Sequence, residues 1–374
     1  MLEVRTVRLR EIRLPLREPF RISSGVTHDR RILLVQLVDG NGREAWGECV
    51  AGETPAYSAE TIDTARLVLR EWLVPRLLGG PIAEPAAVSP MLDAGVRGHR
   101  MAKAALEMAC WVLEAECRGV ALAALLGGTR EVIEVGISLG IQPTPADLAA
   151  RATAAAAEGY RRIKLKIQPG ADVAFVEAVR AVVGPDLPLS VDANAAYALA
   201  DAAHLARLDR FGLVMLEQPL DADDLRRHAL LQRQLATPLC LDESITSAAR
   251  AEDALELDSA RIVNVKPGRV GGFLAARAIH DLCARRGVPV WCGGMLESGI
   301  GRAHNVALAA LPNFTLPGDL SPSRRYWARD IVSPEWTMSA DGRVAVPLTQ
   351  PGLGVAVDLN RVDDLTVHLE ERHA

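Results

Sequence analysis

Charged residues recur along the middle of this chain at a nearly constant interval, each closing a short apolar run. The runs RRIKLKI, LSVDAN, VMLEQP, CLDES and RIVNVKP carry Lys166, Asp192, Glu217, Asp242 and Lys266, at steps of 26, 25, 25 and 24 residues. Strand-like residues precede each charge and helix-like residues follow it, so the interval reads as a repeated βα unit. Carried outward at the same spacing, the pattern gives eight strand markers, near residues 139, 166, 192, 217, 242, 266, 293 and 318. A doubly wound open sheet also alternates in this way. Charges at five consecutive strand ends favour a closed (β/α)8-type barrel, whose C-terminal mouth carries the active site.

The barrel is expected to occupy residues 129–321 of the 374. Before it, LEVRTVRLREIRL, RRILLVQLV and REAWGECV read as antiparallel strands, and the stretch from Ser58 to Gly119 is helical by its apolar spacing of three and four. Gly119 and Gly127–Gly128 supply helix stops, so residues 1–128 form a small α+β capping domain. The polar segment FRISSGVTHDR (20–30) reads as a mobile loop. Beyond Ser321 the chain is irregular, and its strand-like runs GRVAVP and VAVDL are expected to return to the cap, which 322–374 would complete.

A net charge of −5 gives no electrostatic case for nucleic acid or an anionic membrane. No apolar run is long enough to span a bilayer, and the alternating N-terminus lacks the apolar core of a signal peptide. The six cysteines, at 49, 110, 117, 240, 283 and 292, form no CxxC pair and have no histidines at zinc spacing. They read as buried reduced thiols of a cytoplasmic protein. Association into a homo-oligomer is expected for a capped barrel of this kind.

Asp192, Glu217 and Asp242 end neighbouring strands, about 4.8 Å apart along the sheet. Three carboxylates converging at that spacing repel unless a cation lies among them, and an all-oxygen donor set with open positions suits Mg²⁺. Lys164 and Lys166 share one face of the second strand, and Lys266 ends the sixth, opposite it in an eight-strand ring. A carboxylate ligand held at the cation would then have a lysine on each side. The chemistry this suits is removal of a proton beside a carboxylate: the cation offsets the charge of the enediolate, and opposed lysines invert the centre. The cation and a second ammonium are expected to lower a lysine's pKa from ~10.4 towards ~7–8. Asn194, Glu243 and Arg269 are candidates to support this group, and the backbone of Gly293, Gly294 and Met295 offers N–H groups to a ligand carboxylate.

The set Lys-x-Lys, Asp, Glu, Asp, Lys resembles the muconate-lactonizing subgroup of the enolase superfamily. More narrowly, VGISLGIQ, VDANAAY, LCLDES, NVKPGRVGG, VWCGGMLESGIGRAHN and LPGDLSPSRRYW are similar to the N-succinylamino acid racemase / o-succinylbenzoate synthase branch. The resemblance covers the whole chain and implies a modified (β/α)7β barrel with a split α+β cap. It assigns Mg²⁺, with Mn²⁺ or Co²⁺ as substitutes, to Asp192, Glu217 and Asp242. Lys166 and Lys266 become the acid/base pair, and Lys164 the residue that steadies the substrate carboxylate. It also puts Ser138 and Phe20 at the substrate, with the loop near Phe20–Thr27 closing over it. The implied reactions are racemisation of N-succinyl (N-acyl) amino acids and dehydration to o-succinylbenzoate in menaquinone biosynthesis. Muconate cycloisomerase and dipeptide epimerase share the frame, although Asp319-Leu320-Ser321 departs from the Asp-x-Asp of the epimerases. A non-catalytic barrel that binds a ligand is the alternative from another class.

Overall fold

The computed structural model describes residues 1–23 and 25–374. Ser24, in the segment expected to be a mobile loop, lies outside the described residues. Strands β1 (Val4–Ile22), β2 (Gly25–Asp39) and β3 (Glu44–Cys49) are antiparallel neighbours. Val7 and Leu9 of β1 point into the core, while Arg8 and Arg10, which alternate with them, keep partial exposure, the period-two signature of a one-sided sheet. The helix Arg100–Arg118 lies on β3 so closely that a Cβ at Gly47 would overlap the Ala105 carbonyl. That helix ends at Gly119, whose φ of 65° is the left-handed conformation a glycine stop provides.

The segment 20–30 is not irregular. After a slip between Pro15 and Phe20, β1 and β2 pair again at Phe20↔Thr27, Arg21↔Val26 and Ile22↔Gly25. Branched residues at Ile22, Val26 and Thr27 carry the ribbon outward where the polar composition suggested a loop.

Strand β4 (Val132–Glu134) leads into a seven-stranded parallel sheet that follows chain order. Its members are β5 (Gly136–Leu139), β6 (Arg162–Lys166), β7 (Leu189–Asp192), β8 (Leu216–Glu217), β9 (Leu239–Leu241), β10 (Ile262–Val265) and β11 (Val290–Cys292). The intervening helices begin on local signals; Thr144, for example, caps Pro145–Ala157 by accepting from the Asp147 N–H. An eighth strand near 318 does not form. Instead the segment touches both edges through single bridges, Val290↔Phe314 and Val135↔Gly318, and Gly136 N–H donates to the Gly318 carbonyl at 2.7 Å. Pro317 has no N–H for a longer ladder.

The tail also differs from expectation. GRVAVP contributes β13 (Arg343–Ala345), which pairs with β4, and VAVDL contributes β14 (Ala356–Val357), which pairs with β12 (Val332–Ser333). The strand that does return to the cap is β15 (Thr366–His373), lying along β1 at the sheet edge. Its Val367 and Leu369 are exposed, so burial leaves no apolar stripe by which to read it.

The lower barrel interior is a small apolar group, Met215, Cys240, Ile262 and Trp291. Five cysteines are buried as expected, but Cys117 is exposed. No helix among the described residues is long and apolar enough to cross a membrane.

Candidate active site

Alternation in RIKLK sends Arg162, Lys164 and Lys166 to one face of β6, at rising heights in the barrel. Arg162 lies over the Trp291 ring, 4.1 Å from its centroid, and its Nη2 donates to Asp319 Oδ1 at 3.1 Å. One layer up, Lys164 Nζ reaches Glu217 Oε2 at 2.9 Å and Asp319 Oδ2 at 2.7 Å. At the mouth, Lys166 Nζ donates to Asp192 Oδ2 at 2.6 Å and Asn194 Oδ1 at 2.8 Å. The register pairs Lys166 with Asp192 and Asp192 with Glu217, which puts these charges level. Glu217 pairs with Cys240, so Asp242, just past the end of β9, stands two residues farther out.

Asp242 is ringed by donors. Lys266 Nζ lies 2.7 Å from Oδ2, the Tyr57 hydroxyl donates to Oδ1 at 2.9 Å, and Arg269 Nη1 contacts Oδ1. Asn264 donates to Glu217 Oε1 at 2.7 Å, and Asn194 donates to Glu243 Oε1 at 2.9 Å. Asn194 and Gln218, just past Asp192 and Glu217, have φ of 43° and 37°. Such left-handed turns at non-glycine residues are costly, and here they turn the chain sharply behind the carboxylates.

The electrostatics separate the acids. Burial, then Asp192, push the Glu217 carboxyl up to about 7; burial, then Asp242 and Asp192, push Glu243 up to about 8. Asp192 goes the other way: burial alone would raise it, but Lys166 and Lys164 hold it well below the usual carboxylate range. At Lys164 and Lys266 burial and the neighbouring acids oppose each other. Burial pulls both down, but Asp319, Glu217 and Asp192 raise Lys164, and Asp242 and Tyr57 raise Lys266.

Asp192, Glu217 and Asp242 could hold a divalent cation. The donors are all oxygen, and Glu243 Oε2 beside them is buried without a hydrogen-bond partner. Burial first, and the neighbouring carboxylates second, raise Glu217 and Glu243, and a cation among them would offset the second of these effects. Among the described residues no three His, Cys, Asp or Glu side chains close on a metal-sized point, and lysines and Arg269 engage the carboxylate oxygens.

Above these charges opens a cavity of about 580 Å³, lined by both Lys166 and Lys266 and by Phe20, Gly294 and Met295. Ser138 pairs with Lys164 across the strands, and its Oγ is buried without a partner. Gly293 is a correction: its N–H is used by the Val265 carbonyl at 3.3 Å and is not offered to a ligand. A Cβ there would overlap Asn264 and Lys266, so glycine is what lets Lys266 pass.

Sequence reasoning missed four contributors. Arg162 and Asn264 were signalled, each lying two residues before a lysine already singled out and so on the same strand face. Asp319 stands in the sequence as the first residue of the Asp-Leu-Ser segment that departs from Asp-x-Asp at Ser321, with nothing to mark it as a partner of Lys164. Tyr57 comes from the cap, in a segment without periodicity, and no sequence signal points to it.

Residues 4–127 match the mandelate racemase / muconate lactonizing enzyme N-terminal domain, and residues 147–362 match the enolase C-terminal domain-like family. The chain belongs to the enolase superfamily. It is 52% identical over 365 residues to an o-succinylbenzoate synthase from Geobacillus kaustophilus, covering 98% of this chain and 96% of that one. An N-succinylamino acid racemase from Amycolatopsis is also 52% identical, over 362 residues and 96% of each chain. Among solved structures, an enolase superfamily member from Listeria innocua superposes with a TM-score of 0.95 at 40% identity, covering 100% of both chains. Like these relatives, the protein is an enzyme with the superfamily's capped barrel.

Proposed function

We propose that this enzyme racemises N-succinylamino acids by moving the α-proton between Lys166 and Lys266, with Asp192, Glu217 and Asp242 holding Mg²⁺. The observation that carries the reading is that both ammoniums line one cavity from β6 and β10, strands separated by β7, β8 and β9. When bound, the cation would offset the negative charge that develops on the substrate carboxylate during proton removal. The remaining work belongs to side chains. Lys164, fixed by Glu217 and Asp319, brings a positive charge beneath the carboxylate. Lys166, as the neutral amine, would take the proton from one face of the α-carbon, and Lys266, as the ammonium, would deliver one to the other. Asn194 and Tyr57 hold these two nitrogens in place. Gly293 leaves the Lys266 stem its path.

The same site supports a second reaction, dehydration to o-succinylbenzoate. There Lys166 would act as base and then acid on one face while Lys266 stabilises charge from the other. Relatives of equal identity bear the two names, and both reactions begin by removing a proton beside a carboxylate. The test is to incubate one enantiomer of N-succinyl-phenylalanine with enzyme and Mg²⁺ in D₂O. The expected result is racemisation with deuterium at the α-carbon. Absence of exchange with Mg²⁺ present would overturn the proposal.

A further inference from the structure

The cavity above the lysines contains one positive charge that proton transfer does not use. Arg30, on β2 of the cap, lines the cavity with a relative exposure of 6%. Among the described residues its guanidinium has no carboxylate within ion-pair distance. Its Nε is buried without a hydrogen-bond partner, and Nη2 makes one long contact, 3.5 Å, to the Val50 carbonyl. Arginine offers five donors in a fixed planar fork, and burying that fork so poorly matched costs stability unless something supplies the partner.

The neighbouring acids have partners of their own. Glu48 accepts from Ser298 N–H at 3.1 Å, from Ser298 Oγ, and from Gly301 N–H at 2.9 Å. Glu297 accepts from Asn305 at 2.8 Å and lies 3.7 Å from Arg302. Glu53, which lines the cavity, is exposed and makes no ion pair with Arg30. The other basic side chain on the cavity wall apart from the lysines, Arg13, is open to water, where a charge is screened and discriminates poorly between ligands.

We infer that Arg30 is the specificity residue for the acyl half of the substrate: its guanidinium receives the terminal carboxylate of a dicarboxylic acyl group such as succinyl. The inference rests on the proton-transfer reading of the site and deepens it. The α-carboxylate belongs at the floor of the cavity, with Lys164 and the cation that the three acids would hold, so the second carboxylate of an N-succinylamino acid needs another positive group. Arg30 is the buried one on the same cavity. Arginine pairs with carboxylate through two parallel N–H···O bonds, and a buried site strengthens them. The pair forms equally in ground and transition states, so it acts on kcat/KM, mainly through KM.

The first arm needs no mutation. Wild-type enzyme is given N-succinyl-phenylalanine and its neutral isostere, in which the succinyl carboxylate is a primary amide, and α-proton exchange in D₂O is followed for each. A preference for the acid of about 10–100-fold in kcat/KM is expected, as for loss of a charged hydrogen-bond partner. Equal kcat/KM values would overturn the inference. In the second arm, Arg30→Gln should bring that ratio near one while exchange of the amide proceeds within a few-fold of wild type, and Arg30→Lys should restore part of the preference. If Arg30→Gln slows both substrates alike, the residue is structural and the inference fails. Wild-type exchange of the amide shows that proton transfer is sound even when the inference fails. Wild-type exchange of neither substrate overturns the proton-transfer reading and this one with it.

Discussion

Lys266 and Tyr57 meet across the junction of barrel and cap. The ammonium nitrogen lies 3.1 Å from the phenol oxygen and 4.6 Å from the ring centroid. The same hydroxyl donates to Asp242 Oδ1, so one cap residue contacts a proposed acid/base lysine and a proposed metal ligand together. Burial, then the charge of Asp242, push the phenol's pKa up, which keeps it a donor. The barrel therefore does not complete this site alone.

Tyr57→Phe tests that dependence. It retains the ring and removes the oxygen, so a hydrogen bond to a charged group, about 1.5–3 kcal/mol, is lost. Steady-state kinetics should show kcat reduced about 10–100-fold with KM changed far less. A kcat within twofold of wild type would mean that the hydroxyl only fills space.

Lys266→Ala and Lys166→Ala should divide the chemistry by face. Each variant is expected to lose α-exchange from the enantiomer whose proton faces the missing lysine, by about 10²–10⁴-fold, the usual contribution of a positioned acid or base. Exchange from the other enantiomer should survive better, because its base remains. Deuterium uptake from the separate enantiomers, read by NMR, decides it. Equal loss of both in each variant would speak against two-base transfer.

Metal dependence can be read without turnover. Enzyme treated with EDTA should melt lower, and Mg²⁺ at 100 times its Kd should stabilise it by about 2.7 kcal/mol. Glu217→Gln, which removes one donor charge, should shrink that shift in calorimetry. If Mg²⁺ leaves the melting temperature of the wild type unchanged, the assignment of Asp192, Glu217 and Asp242 to a cation is lost.

The barrel was legible because each strand carries its own signal, an apolar run ending in a charge. Register then brings Lys166, Asp192 and Glu217 level with no further information. What stayed illegible depends on contacts between distant segments. Tyr57 reaches Asp242 across 185 positions of chain. The edge strand β15 has exposed residues on both faces, so its pairing with β1 leaves no hydrophobic pattern in the sequence. The segment at 318 kept the spacing of a strand, yet Pro317 denies it the ladder.

Glu107 supplies a prediction about stability. It sits in the cap helix Arg100–Arg118 and accepts from the N–H groups of Phe273 at 2.7 Å and Leu274 at 2.9 Å, capping a barrel helix from across the junction. Burial pushes its carboxyl up to about 7, against the pull of those donors and of Trp111 and Arg277. A carboxyl raised in the native state binds its proton more tightly folded than unfolded. Its contribution is therefore complete below the unfolded value of 4.5 and is lost as the pH rises through about 7. Over that window the loss amounts to about 3 kcal/mol at 1.36 kcal/mol per unit. Urea denaturation between pH 5 and 8 should show this decline in the wild type. Glu107→Gln, which cannot titrate, should start lower, having lost an acceptor for one of its three donors, and should decline less steeply. Parallel curves for the two proteins would show that Glu107 is ionised throughout and that its caps outweigh its burial.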